Sequence, residues 1–117
     1  MVNQPTIDII IPNFNKAKYL NQCLNSITSQ TYKNWKIFLI DDNSQDSSKK
    51  ILKKFKKKNN IEIFYLNENK GPSFCRNMGI SLSKSPFISF LDSDDYWPKN
   101  KLLLQLNFMI KQKINFS

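Results

Sequence analysis

Four short runs rich in β-branched or aromatic residues alternate with four segments of helical period, and this alternation constrains the fold more than any other feature of the chain. Ile7 to Ile11 is a β-branched run closed by Pro12, followed by Lys36 to Ile40, Ile61 to Leu66 and Phe87 to Leu91. Within Lys16 to Gln30, Tyr19, Leu20, Cys23, Leu24 and Ile27 recur at spacings of three and four, which describes an amphipathic helix with Asn15 placed as its N-cap. A second helix follows the polar break at 41–44, carries Ile51, Leu52 and Phe55 on one face, and ends at Asn59 and Asn60. Pro72 to Ser83 forms a third, and Pro98 opens a fourth with Leu102, Leu103, Leu106 and Met109 inside. The order βαβαβαβα implies right-handed crossovers and a doubly wound, mainly parallel α/β sheet with helices on both faces. In such sheets ligands bind beyond the carboxyl ends of the strands.

The 117 residues make one domain, 1–117, long enough to bury roughly two-thirds of the surface its unfolded chain exposes. Its 18 Lys and Arg stand against 9 Asp and Glu, with no His, for a formal charge of +9. Without imidazole there is no Ser-His-Asp triad, no Cys-His pair and no His metal ligand, so acid–base or metal chemistry falls to carboxylates. Cys23 and Cys75 lack Cys-x-x-Cys spacing and read as reduced core thiols rather than a zinc site or a disulfide scaffold. No apolar run approaches the ~20 residues that cross a bilayer, and Met1 to Pro5 lacks a signal-like pattern, so the expected location is cytoplasmic.

The strand ends hold the acids. The first strand runs into Pro12-Asn13-Phe14-Asn15, the second into Asp41-Asp42-Asn43-Ser44-Gln45-Asp46 and the fourth into Asp92-Ser93-Asp94-Asp95; six of the nine acidic residues lie in the last two stretches. Carboxylates held together raise one another's pKa unless a cation or donor compensates. A divalent ion is the simplest compensator, and an all-oxygen set selects Mg²⁺ or Mn²⁺ over zinc. Capping competes with this reading, because Asp41, Asp42, Asp46 and Asp95 near helix N-termini are each favoured by ~0.3–1 kcal/mol. Capping accounts for Asp46 and Asp95 more readily than for Asp92 and Asp94, since three carboxylates in four residues exceed what one cap requires.

The blocks Ile9 to Asn15, Ser26 to Tyr32, Asp41 to Asp46, Asn69 to Ser73, Arg76 to Ile80 and Phe90 to Asp95 resemble, in order and spacing, the N-terminal motifs of family 2 glycosyltransferases. The resemblance covers residues 7 to about 105 and implies a Rossmann-like GT-A fold, N-terminal half. It implies a nucleoside-diphosphate-sugar site, UDP-sugar above all, in which Pro12, Phe14 and Asn15 line the base and ribose pocket and Asp42 accepts a hydrogen bond from the base. Asp41 orients the turn. Lys70, Gly71 and Arg76 would approach the nucleotide, although Arg76 also suits a helix-surface ion pair. Asp92 and Ser93 would contact the ribose or metal-bound water, and Asp94, with Asp92, would hold Mn²⁺ or Mg²⁺. Phe14 stands where Tyr is common, which keeps stacking and loses a hydroxyl contact.

The same resemblance implies an acceptor hydroxyl on a glycan or lipid-linked sugar, and a general base in an acceptor-binding half after residue 117. Asp95 is the last acid in the sequence. The expectation is therefore a donor-binding domain with no catalytic residue of its own, inactive or nearly so alone; the alternative is a truncated, non-catalytic nucleotide-binding module. A receiver-like or phosphatase-like domain is disfavoured, because its acidic pair would stand where this chain has Pro12 to Asn15.

Lys49, Lys50, Lys53, Lys54, Lys56, Lys57 and Lys58 crowd the second helix. The one aromatic among them, Phe55, belongs to the helix's apolar stripe, and no nucleic-acid-binding motif accompanies the run, which argues against a nucleic acid partner. The run reads as a solvated face or as a peripheral contact with the anionic inner face of the cell membrane. Trp35 and Trp97 read as packing residues. The fourth strand is expected to be an open edge that invites self-association.

Overall fold

The computed structural model describes residues 4–56, 58 and 60–115, with the side chains of 109 and 111–115 outside that description. The eight elements appear in the expected order: β1 (Ile7–Asn13), α1 (Ala17–Thr28), β2 (Trp35–Asp41), α2 (Ser48–Phe55), β3 (Ile61–Tyr65), α3 (Pro72–Leu82), β4 (Phe87–Phe90) and α4 (Lys101–Asn115). All three strand pairings are parallel, and the sheet order is β3-β2-β1-β4. After β1 the chain winds outward through β2 and β3, then returns to the other side of β1 to lay down β4. The winding direction thus reverses between β1 and β4, the crevice where α/β sheets bind ligands.

Strand parity sorts the core into two layers. Ile7, Ile9 and Ile11 of β1, with Ile37, Leu39 and Ile61, pack against Leu20, Cys23, Leu24 and Ile27 of α1, Leu52 and Phe55 of α2, and Leu102 and Leu106 of α4. The alternate residues Ile10, Phe38 and Ile40 face Cys75, Met78 and Leu82 of α3. Each such side chain contributes about 1.5–3 kcal/mol through burial. Gly79 lets α3 lie directly on β1: a Cβ there would stand 2.4 Å from Ile10 Cγ2. At the opposite pole from the strand ends, buried Asp8 accepts hydrogen bonds from the Ser83 and Ser85 hydroxyls and ties the α3–β4 connection to β1.

Four local expectations are corrected. Pro12 does not close β1, which continues to Asn13 in register with Asp41. Pro12 turns the same backbone edge toward β4 as Ile10. The β1–β4 ladder stops with the Leu91 N–H donating to the Ile10 carbonyl, where the next rung would need the N–H that Pro12 lacks, while pairing with β2 on the other edge runs on. Asn15 is not the N-cap of α1: it takes the left-handed conformation at φ 52°, and the cap position falls to Lys16. Pro98 closes a turn with the Lys101 N–H and α4 begins at Lys101, so Asp95, six residues earlier, does not cap it. Leu103 is 39% exposed, because α4 turns Leu102 and Leu106 to the core instead. The side chain of Met109, and Asn59 and Lys57, lie outside the described residues. Cys23 and Cys75 are both buried and free. Trp35 is buried, and Trp97 packs against the larger core layer. β4 is an edge strand among the described residues, and no described helix is long and apolar enough to cross a membrane.

Candidate functional site

The carboxyl ends of β1 and β2 are locked together by a buried polar cluster. Asp41, fully buried, accepts hydrogen bonds from Asn13 Nδ2 (2.8 Å), the Ser44 hydroxyl (2.7 Å) and the Ser44 N–H (3.0 Å). The Asn15 N–H then donates to Ser44 Oγ (3.0 Å), and Asn15 Oδ1 accepts from the Gln45 N–H (2.8 Å). Asp41 therefore orients the turn, and its carboxylate faces partners inside the protein. Asp46 joins two helix ends: Oδ2 accepts from the Ala17 N–H at the start of α1 and Oδ1 from the Ser48 N–H at the start of α2, both at 2.9 Å. Burial opposes its ionisation, but the hydrogen bonds from Ser48 and Ala17 outweigh that and hold the carboxyl below its ordinary range.

Asp42 is 3% exposed, and its two oxygens accept from the Lys70 N–H (2.7 Å) and the Gly71 N–H (2.9 Å). This clamp draws the β3–α3 loop over the end of β2. Gly71 precedes Pro72, the first residue of α3, with φ 91°, a backbone state that a Cβ would strain. Across the crevice, Arg76 Nη2 lies 3.0 Å from Asp92 Oδ1, and Lys16 Nζ lies 3.5 Å from Asp94 Oδ2. Arg76 is thus both an ion-pair partner and a wall of the crevice.

These groups enclose a cleft of about 350 Å³, lined by Pro12, Phe14, Asp42, Gly71, Arg76, Asp92, Ser93 and Asp94. Of the residues that the sequence nominated, only Asn15 and Lys70 stand outside the lining. The Asn15 side chain holds Gln45, and Lys70 Nζ reaches Glu68 at 2.7 Å while only its backbone amide meets Asp42. Four lining residues were not nominated: Lys16, Asn69, Pro72 and Cys75. Asn69 and Pro72 flank Gly71 in a block already singled out, and Lys16 follows Phe14 by two residues, so adjacency to the strand ends was the available signal.

Both thiols are inert by environment. Burial pushes Cys75 up to about 11, with Asp42 and Asp41 adding to the effect and Arg76 opposing it. Burial, then Asp95, Asp94 and Asp92, push Cys23 up to about 12. Asp92, Asp94 and Asp95 are exposed, and each offers a carboxylate oxygen within 4.8 Å of the others. A hard, water-accessible oxygen set of this kind suits Mg²⁺ or Mn²⁺, which retain several waters, and it lies beside the guanidinium and ammonium groups that suit phosphate oxygens.

Fold and cleft together define a Rossmann-like α/β domain whose switch-point crevice combines an aromatic face, cations and a carboxylate cluster. The chain belongs to glycosyl transferase family 2, whose sequence model matches residues 8–116. It is 40% identical over 114 residues to an uncharacterized glycosyltransferase of Haemophilus influenzae, covering 97% of this chain and 46% of the relative. It is 34% identical over 110 residues to the Escherichia coli UDP-Glc:alpha-D-GlcNAc-diphosphoundecaprenol beta-1,3-glucosyltransferase WfgD, covering 94% of this chain and 43% of that one. The crystal structure of S. aureus TarS 1-349 in complex with UDP-GlcNAc superposes with a TM-score of 0.84 at 30% identity, over 91% of this chain and 31% of that 1-349 chain. The chain therefore spans less than half the length of each of these proteins.

Proposed function

We propose that the cleft binds a nucleoside-diphosphate sugar, specifically a UDP-sugar, and that residues 1–117 are the donor-binding domain of an inverting glycosyltransferase acting on a glycan or lipid-linked hydroxyl. The observation that carries this reading is the convergence of Pro12, Phe14, Asp42, Gly71, Arg76, Asp92, Ser93 and Asp94, from four separated stretches of sequence, on one cleft at the switch point. Phe14, 43% exposed, offers a face on which a base can stack. Each Asp42 oxygen keeps a lone pair beyond its backbone bond and can accept from a base N–H. Arg76 supplies a fork matched to pyrophosphate oxygens, and Lys16 a second positive charge beside it. Asp92 and Asp94 would hold Mn²⁺ or Mg²⁺, which when bound neutralises charge on the departing nucleoside diphosphate. The likeness to TarS, crystallised with UDP-GlcNAc, supports the donor class, and the name of WfgD supports a lipid-linked acceptor.

In this reading the acids of the cleft serve base recognition and the metal, which leaves no cleft carboxylate free to deprotonate an acceptor hydroxyl. That same shortage favours, for the chain alone, a second reading as a nucleotide-binding module without transfer. Calorimetric titration of UDP tests the shared claim: binding is expected with Mn²⁺, and weaker binding in EDTA or with Asp94→Ala. No binding under any condition contradicts the donor site, and binding indifferent to EDTA contradicts the metal role. Turnover of a UDP-sugar by the chain alone would exclude the second reading.

A further inference from the structure

The lysines of α2 form a surface that the cleft does not use. Lys49, Lys50, Lys53 and Lys54 lie on α2, Lys56 and Lys58 follow it, and all six are exposed. Ser48, Leu52 and Phe55 face the core, so at 3.6 residues per turn Lys50, Lys53 and Lys54 point directly away from the sheet. Among the described residues none of the six forms an ion pair; the four ion pairs use Lys16, Lys36, Lys70 and Arg76. The flanking acids are committed elsewhere. Asp46 caps α1 and α2 with its two oxygens, and Glu62 meets Lys36 at 3.2 Å on the sheet face opposite α2. Tyr65, 40% exposed at the end of β3, stands beside this face with Lys49 Nζ 5.9 Å from its ring centroid.

We infer that this face docks on an anionic phospholipid bilayer. Six exposed ammonium groups on one short helix and just after it, three of them on its outer side, suit a broad, planar negative surface, while a nucleic acid reader would need a groove or a row of stacking aromatics, and Tyr65 is a single ring. An interfacial tyrosine beside lysines is the pairing that membrane surfaces favour. Because α2 begins at the pole of the sheet that carries the cleft, docking would hold the donor site near the bilayer.

Co-sedimentation of the full chain with vesicles tests this. The chain is expected to sediment with phosphatidylglycerol-containing vesicles, to remain in solution with pure phosphatidylcholine, and to be released by high salt. Each lysine near the surface is worth roughly a fivefold change in partitioning, so Lys50→Gln/Lys53→Gln/Lys54→Gln should bind about a hundredfold more weakly. Replacing the same three residues by Arg should preserve binding, and Lys84→Gln/Lys99→Gln, which lies off this face, should behave as the parent. Equal binding to phosphatidylcholine, no binding to either vesicle, or equal losses in the two Gln variants would overturn the inference. So would a triple variant that loses affinity for duplex DNA while vesicle binding stays unchanged.

Discussion

Asp42→Asn separates a loop clamp from a simple ligand contact. In the parent, the two oxygens of a carboxylate that is 3% exposed take the Lys70 and Gly71 N–H groups at 2.7 and 2.9 Å. Hydrogen bonds to a charged group contribute about 1.5–3 kcal/mol each, against about 0.5–1.5 for neutral ones. Asparagine keeps one acceptor, so one bond falls to the neutral value, while its NH₂ faces the other N–H and leaves a donor unpaired at about 1–3 kcal/mol. The combined loss is about 2–4 kcal/mol, which for a domain of this size lowers Tm by roughly 10–15 °C. Thermal unfolding followed by circular dichroism without ligand reads this directly. Asp94→Asn is the control, because its exposed pair with Lys16 at 3.5 Å contributes only about 0–1 kcal/mol. If Asp42→Asn unfolds at the same temperature as Asp94→Asn, the clamp is not what holds the β3–α3 loop.

Three other outcomes follow from the same geometry. Gly79→Ala gains about 1 kcal/mol of helix propensity, but its Cβ would meet Ile10 Cγ2 at 2.4 Å. Overpacking of that kind costs about 1–3 kcal/mol, so denaturant titration should show a net loss, and a stabilised variant would mean that α3 sits farther from β1. Asp46→Ala should cost about 1 kcal/mol near neutral pH, after allowance for exposure. The folded carboxyl lies below its ordinary value of 3.8, so its contribution is present above that pH and fades below it. Parent and variant should therefore converge in stability as the solution is acidified, and a constant gap down to strong acid would contradict the role of the charge. Phe14→Ala should weaken UDP binding by roughly tenfold to a hundredfold through lost stacking, with Phe14→Tyr near the parent, as measured by calorimetry.

The fold was legible because period and parity are local. A strand read as Ile7 to Ile11 and a helix read from Tyr19, Leu20, Cys23, Leu24 and Ile27 need only neighbouring residues, and their alternation sets the parallel topology. What failed were features decided at a distance. Asn15 was placed as a cap, yet the donor at the start of α1 is satisfied by Asp46, 29 residues away. Asp8 carries no local signal in its strand, because its partners Ser83 and Ser85 lie beyond five intervening elements. Pro12 read as a terminator because proline lacks an N–H, and nothing local shows that this edge of the strand faces β4 and not β2. The site was legible for a different reason: scarce acids gathered at two strand ends, in a chain of charge +9, mark where a cation or donor must sit. Arg76, the single arginine, stood in one of the nominated blocks, whereas Lys16, one of 17 lysines, carried no such contrast.

The most direct measurement is the amide NMR spectrum of the chain titrated with UDP and Mg²⁺. A donor cleft at the switch point predicts shifts at Phe14, Asp42, Gly71, Arg76, Ser93 and Asp94, and none at Ser83 or Ser85 at the opposite pole. An unchanged spectrum, or shifts confined to α2 or to the Asp8 pole, would contradict it.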